Sequence, residues 1–255
     1  MFLKDFSISG ESMVADIVAS NYRTADVFRK YGISYCCGGR MPLQRACELK
    51  GIDPDRIQAE LETTVRRVEV PGKIDYSLWD ISFLTTYISH IHHHYLHETL
   101  PSLQIQLNDF VVEHVKKFPY LRELEFQFLQ LTRLLKTALK KEEEEIFPYI
   151  RQIAHAHKHQ EPYAGLFIKT LRKPVEEALF NGHQLVSNII ISIRQITNTY
   201  EPPANACLNH RVILARLREL DNDLAQHIFL EKTVLYPKIL QMETELAGQL
   251  YSAAK

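Results

Sequence analysis

Nine glycines and eleven prolines are few for a chain of 255 residues. Breakers this sparse favour long helices over a turn-rich β architecture. No apolar run reaches the length of a bilayer-spanning helix. The best candidate, Leu185 to Ile193, is short and broken by Ser187, Asn188 and Ser192. A charge excess of one sign is also missing: 30 Lys+Arg face 31 Asp+Glu, for a formal charge of −1. That balance carries no electrostatic footprint for nucleic acid or an anionic membrane, and neither is expected as a partner. The first residues, with Asp5 and Glu11, do not follow the basic-then-apolar layout of a secretory signal. Cysteine is scarce too. There are four, Cys36, Cys37, Cys47 and Cys207, and chain neighbours bridge each other only with strain. This is a poor disulfide framework, so the expectation is a reducing, cytoplasmic protein with thiols open to chemistry.

What the chain does have is a 45% hydrophobic fraction, enough for a packed core, and twelve histidines. No window alternates with period two, so strands are not expected. Residues 1–70 read as a small unit of short helices. Met13, Val14, Ile17 and Val18 share a helical face, and Thr24 can cap a helix carrying Val27, Phe28 and Tyr31 that Gly32 ends. The turn-prone Cys36-Cys37-Gly38-Gly39 follows. Pro42 can open the next helix and Gly51 close it, and Asp53-Pro54 starts another with Ile57, Leu61 and Val65 on one side. Val70-Pro71-Gly72 reads as a linker. From Asp75 the pattern predicts four long helices over roughly 76–115, 119–152, 172–199 and 205–250, with a loop from His155 to Pro162. That is the outline of a four-helix bundle, so the fold class is all-α.

An internal repeat carries the chemistry. Glu142-x-x-x-Ile146-Phe147-Pro148 recurs as Glu231-x-x-x-Leu235-Tyr236-Pro237, an offset of 89 positions (231 − 142). His93 precedes Glu142 by 49 residues, and His183 precedes Glu231 by 48. Each half therefore supplies one early His and one late Glu. His227 and Glu231 stand at i and i+4, one turn apart on one helix face. Imidazole with carboxylate, and no thiolate alongside, suits first-row transition ions, iron among them. Bundle cores build such sites from facing helices. Taken singly, each residue has a plain reading: Glu142 opens a charged run, and a lone His is commonly surface or satisfied core. Recurrence in step argues against independent surface residues. The repeat would place a partner of His227 at position 138, and that residue is Ala138. His94 or His97 competes with His93 for the inward position, within a helix that also carries His90 and His92. His155, His157 and His159 fit either a solvated loop or a surface metal site. Gly182 either allows close helix approach or is a tolerated defect.

These residues resemble the iron–sulfur cluster repair di-iron family of the Ric/ScdA/YtfE type. In the first part, Tyr31-Gly32-Ile33-Ser34-Tyr35-Cys36-Cys37-Gly38-Gly39, Ala46-Cys47 and Lys50-Gly51-Ile52 are similar to the ScdA-type amino-terminal domain with its vicinal cysteines. In the rest, His92-His93-x-Tyr95 with Leu100-Pro101, the two Glu-to-Pro segments, His227-x-x-x-Glu231, and the run Pro202 to Cys207 are similar to a hemerythrin-like bundle. The resemblance implies an ScdA-like domain over 1–70 and a hemerythrin-like bundle over 75–255. It implies non-haem iron, one or two ions per chain, held by His93, His183 and His227 with Glu142 and Glu231 as bridging carboxylates. The family's fourth His falls on Ala138, and its acidic run after the third His is replaced by Gln184-Leu185-Val186. Such a gap opens a position for water, nitric oxide or a different second metal. The implied role is a stress response: repair of clusters damaged by nitric oxide or oxidants, by iron donation rather than conventional enzymatic turnover. Damaged iron–sulfur proteins, nitric oxide or dioxygen, and a second copy of the chain are the implied partners. Cys36 and Cys37 are the implied relay or nitric oxide acceptors, with Arg40 nearby; the plain reading of the pair is a small hydrophobe beside a tight turn. Cys47 and Cys207 read as packing residues. The competing functions are a nitric oxide or dioxygen sensor module and a degenerate hemerythrin-like scaffold.

Overall fold

Short helices come first along the chain and long ones follow, and a computed structural model describes residues 8–36, 39–65, 74–161, 168 and 182–253. Among the described residues there is no strand, only an isolated antiparallel bridge between Met13 and Pro42. Nor is any helix among them long and apolar enough to cross a membrane. Cys37 and Gly38, the Val70-Pro71-Gly72 linker, and the expected helix start over 172–181 lie outside these residues.

The chain divides into two compact units. The first gathers the described part of Met1–Gly72 with Tyr200–Arg218, a stretch the sequence reading had counted with the bundle. Its helices are α1 (Val14–Ser20), α2 (Thr24–Lys30), α3 (Leu43–Lys50) and α4 (Pro54–Val65). Phe28, Leu43, Cys47, Ile57 and Leu61 are fully buried in one core, to which Val212 contributes. Pro42 stands before α3, and Gly51 closes it in the left-handed region that glycine adopts without penalty. Thr24 does not cap α2. Arg23 holds that position, and the Thr24 hydroxyl turns back to donate to the Asn21 carbonyl. Asn21 Oδ1 accepts from the Arg23 N–H and caps the turn instead. Gly39 has no room for a side chain, because the Tyr35 carbonyl lies where a Cβ would be built.

The second unit, Lys73–Thr199 with Glu219–Lys255, holds the four long helices. Helix α5 runs from Ile81–Tyr87 through a π-helical turn, Ile88–His93, into His94–His114. Asp80 caps it by accepting from the Ser82 and Phe83 N–H groups. Helix α6 joins Leu121–Lys141, a π turn Glu142–Ile146, and Phe147–His159. Helix α7 covers 182–196. Helix α8 joins Leu208–Phe229, a π turn Leu230–Leu235, and Tyr236–Ala253, its first turns grouped with the other unit. Ile81, Leu84, Ile88, Phe147, Ile150, Leu230 and Leu235 pack into one apolar cluster.

The expected loop over His155–Pro162 is overturned through His159, which remains helical up to a left-handed Gln160. Ile153 and Ala156 continue the buried stripe, so the helix gains apolar burial by going on. His157, Lys158 and His159 at its end also suit the negative pole of the helix. His157 pairs with Glu245 at 2.6 Å, and His155 approaches Glu161 at 3.5 Å. Histidine and lysine, polar enough to suggest a loop, are here the outer face of an amphipathic helix.

Candidate metal centre

Three of the four long helices change from α to π geometry, and each change falls on a candidate ligand. His93 ends the first π turn, Glu142 begins the second, and Glu231 is second in the third. A π turn widens the backbone and re-aims side chains, which is why such turns gather at functional sites. The repeat explains two of the three. Pro148 and Pro237 lack an N–H, so the helix cannot close on the carbonyls of Glu144 and Thr233, and the proline ring crowds the preceding turn. No proline stands at the corresponding place after Ile88–His93.

The ligand atoms of His93, Glu142, His227 and Glu231 all lie within 4.8 Å of one another, and all four residues are buried. His93 Nε2 stands 3.3 Å from Glu142 Oε2 and 3.3 Å from His227 Nε2. His227 Nε2 stands 3.3 Å from Glu231 Oε1 and 4.0 Å from Glu142 Oε2. His183 joins through Glu231, donating from Nε2 to Oε2 at 2.6 Å. All five residues marked by the repeat therefore converge, with His183 outside the tight group of four. His94 and His97 do not enter. His97 is half exposed and pairs with Glu143 rather than with the cluster, and His94 is exposed. The competition for the inward position is resolved in favour of His93.

The arrangement fits a cation on several grounds. Glu142 Oε2 and Glu231 Oε1 are buried and accept no aligned hydrogen bond. A buried carboxylate oxygen without a donor costs on the order of 1–3 kcal/mol unless something positive meets it. Two ligands of one first-row ion, each at about 2.1 Å and at right or tetrahedral angles, stand about 3.0–3.4 Å apart. The three 3.3 Å separations have that size. The tautomer of His93 is also set correctly. Its Nδ1 faces Glu143 Oε1 at 2.9 Å, so the N–H points outward and the Nε2 lone pair points into the cluster.

Electrostatics inside the group are strong. Burial disfavours a charged His227, yet Glu231, then Glu142 and Asp223, outweigh it and push its pKa up to about 9. Burial opposes charge on Glu231 as well, but His227 and His183 hold its carboxyl well below the usual carboxylate range. Glu143 is likewise lowered: burial opposes its charge, and the hydrogen bonds from His93 and His97 prevail. The pocket alternates negative oxygens with imidazoles that must lose protons for a metal to bind.

Two groups around the ligands were not singled out from the sequence. Glu143 orients His93, and it was hidden in the run Glu142 to Glu145. Asp223 accepts from His92 Nδ1 at 2.8 Å, and the His92 ring stacks on His227 with the planes 8° apart. The spacing Asp223-x-x-x-His227 was the available signal, since i and i+4 share a face.

The Ala138 position lies at the edge of the cluster. A cavity of about 10 Å³ is lined there by Ala138, Leu135 and Leu139 of α6, by Gly182 and Val186 of α7, and by Glu142, His183 and His227. The methyl group leaves space where the repeat would place an imidazole.

Residues 86–239 match the profile described as the hemerythrin HHE cation binding domain, more than half of the chain. Residues 10–65 match the ScdA amino-terminal domain, described as of unknown function. The chain belongs to the ScdA/YtfE family. It is 31% identical to the iron–sulfur cluster repair protein YtfE of an Enterobacter species, over 90% of this chain and 97% of that protein. It is 30% identical to the protein of the same name from Escherichia coli, with the same coverage. Against the iron–sulfur cluster repair protein ScdA of Staphylococcus haemolyticus it is 27% identical, over 91% of this chain and 99% of the relative. In this ScdA/YtfE chain, the three π turns seen among the described residues and all five candidate ligands fall inside the span matched by the cation-binding domain.

Proposed function

We propose that this protein repairs iron–sulfur clusters damaged by nitrosative or oxidative stress, and that it does so by giving up iron held by His93, Glu142, His183, His227 and Glu231. The observation that carries the reading is the convergence of four buried groups in which one oxygen of each carboxylate, Glu142 Oε2 and Glu231 Oε1, accepts no aligned hydrogen bond. The names of the family relatives supply the cluster-repair context. Iron here is cargo. Imidazole and carboxylate hold ferrous iron less tenaciously than the thiolates that accept it in a cluster. His93 is pre-oriented by Glu143, so it binds without losing side-chain freedom on arrival of the ion. A proton on His227 competes with the ion, which favours release over retention as pH falls. Damaged iron–sulfur proteins are the proposed partners, and a homodimer in the cytoplasm the proposed state.

The decisive experiment is reconstitution. Iron-loaded protein is mixed anaerobically with an enzyme whose cluster nitric oxide has destroyed. Recovery of that enzyme's activity with the wild type, and none with Glu142→Ala plus Glu231→Ala, is the expected result. Equal recovery with both would exclude donation from this site.

The cavity at Ala138 favours a second reading, reversible binding of nitric oxide or dioxygen by a sensor module. Its largely apolar wall admits a small neutral molecule beside Glu142, His183 and His227. Spectral changes on gas addition with no iron leaving the protein would support this reading. Iron absent from the wild type even after anaerobic loading would instead indicate a degenerate scaffold.

A further inference from the structure

Cys207 was read from the sequence as a packing residue, and Cys36 as one half of a vicinal pair. Within the amino-terminal unit the two are brought to each other. The Tyr35 hydroxyl donates to Asn209 Oδ1 at 2.9 Å, which fixes the segment before Cys36 against the start of α8. Cys36 and Leu208 pack on the same apolar core. The chain around Cys36 is held from the other side as well. The Tyr35 carbonyl occupies the place a Cβ on Gly39 would take, and the Gly39 carbonyl accepts from the Ala15 N–H at 2.9 Å. Cys207 directly precedes α8, and its sulfur accepts from the N–H groups of Asn209 and His210 while lying within hydrogen-bonding reach of the Cys36 thiol. Both cysteines are free thiols and partly open to solvent, whereas Cys47 is fully buried.

We propose that Cys36 and Cys207 form a reversible dithiol–disulfide site that reacts with peroxides. This site is distinct from the metal centre and uses none of its residues. In the first step the Cys36 sulfur attacks one peroxide oxygen. The O–O bond breaks, water leaves, and Cys36 becomes a sulfenic acid. In the second step the Cys207 sulfur attacks the Cys36 sulfur. The S–O bond breaks, and the displaced hydroxide takes the Cys207 proton and leaves as water. The net change is two thiols plus hydrogen peroxide to one disulfide plus two waters, and a small dithiol reverses it. Burial holds the Cys207 thiol above the usual thiol range, against the pull of the His210 and Asn209 N–H groups. It therefore stays protonated and acts second, as the resolving thiol.

The test uses the full-length protein, treated with hydrogen peroxide, blocked with an alkylating agent and digested with trypsin without reduction. The expected product links peptide 31–40 to peptide 195–211 and disappears on treatment with dithiothreitol. Cys37→Ser should leave that link intact, and Cys36→Ser or Cys207→Ser should abolish it. A bond confined to Cys36 and Cys37 within the first peptide overturns the proposal. So does a Cys207 that alkylates fully after peroxide treatment. The wild type and Cys37→Ser alone decide the matter if the other variants lose their far-ultraviolet helical signal.

Discussion

At the scale of single residues, the metal centre is a balance of charge in a space closed to water. Within it Glu231 holds a proton on His227, and His227 in turn favours the ionised Glu231 carboxylate. The sign of its pH dependence follows from the direction of the shifts. His227 titrates near 9 in the folded, metal-free protein, above the ordinary histidine value of about 6.5. Its contribution to stability is therefore full below about pH 6.5 and is lost as pH rises through 9. Metal-free protein should melt at progressively lower temperature between pH 7 and pH 9.5, and His227→Gln should flatten that slope; scanning calorimetry at several pH values checks it. Glu231 behaves in the opposite sense, its contribution persisting until strongly acid pH. Glu143 is a positioning residue, and its removal leaves all five candidate ligands in place. Glu143→Ala should weaken iron binding by about 10- to 100-fold through loss of the His93 orientation. Anaerobic titration with an iron chelator competitor measures that change directly.

At the scale of elements, local backbone departures coincide with places that matter. The π turns at Glu142–Ile146 and Leu230–Leu235 both precede a proline by one residue. Pro237→Ala restores the missing N–H and lets α8 close on the Thr233 carbonyl. It should stabilise the helix, shift Glu231 out of register, and lower iron stoichiometry while raising the melting temperature. A variant that gains stability and keeps its iron would show that proline does not position Glu231. The amino-terminal unit offers a contrasting case. Gly39→Ala places a methyl group on the Tyr35 carbonyl, and Ala15 also stands close. The expected cost is roughly 1–3 kcal/mol or more, as in other overpacked sites, read as a drop in the denaturation midpoint. Asn198, Thr199 and Tyr200 form a third departure, all three at positive φ. Thr199 is β-branched, so Thr199→Gly should relieve strain of about 1–2 kcal/mol, partly offset by the freedom glycine gains when unfolded. A small net rise in stability is the expected outcome.

At the scale of the whole molecule, the halves of the second unit differ where the repeat fails. Ala138 stands where symmetry would place a fourth histidine, and the resulting cavity touches Glu142, His183 and His227. Ala138→His should fill that cavity and raise the iron content per chain, measured by elemental analysis after anaerobic loading. Unchanged stoichiometry would mean that α6 and α7 approach too loosely there to add a ligand.

Much of this was legible in the residues themselves. Scarce glycine and proline, with 3.6-residue periodicity, indicated helices. The spacing of two Glu-to-Pro segments marks Glu142 and Glu231 from the chain alone. The repeat also exposed the gap at Ala138. Such signals are local or nearly periodic, and periodicity is a property a chain carries without folding. Other features depended on groups that are far apart along the chain. Whether His93, His94 or His97 turned inward depended on a π turn that shifts the face of α5 by a fraction of a turn. His155 to His159 looked like a loop because composition does not say that Ile153 and Ala156 find a core. The partnership of Cys36 with Cys207, and of His92 with Asp223, spans 171 and 131 positions. No short-range pattern encodes such a pairing, since it arises only when burial brings separate helices to one place.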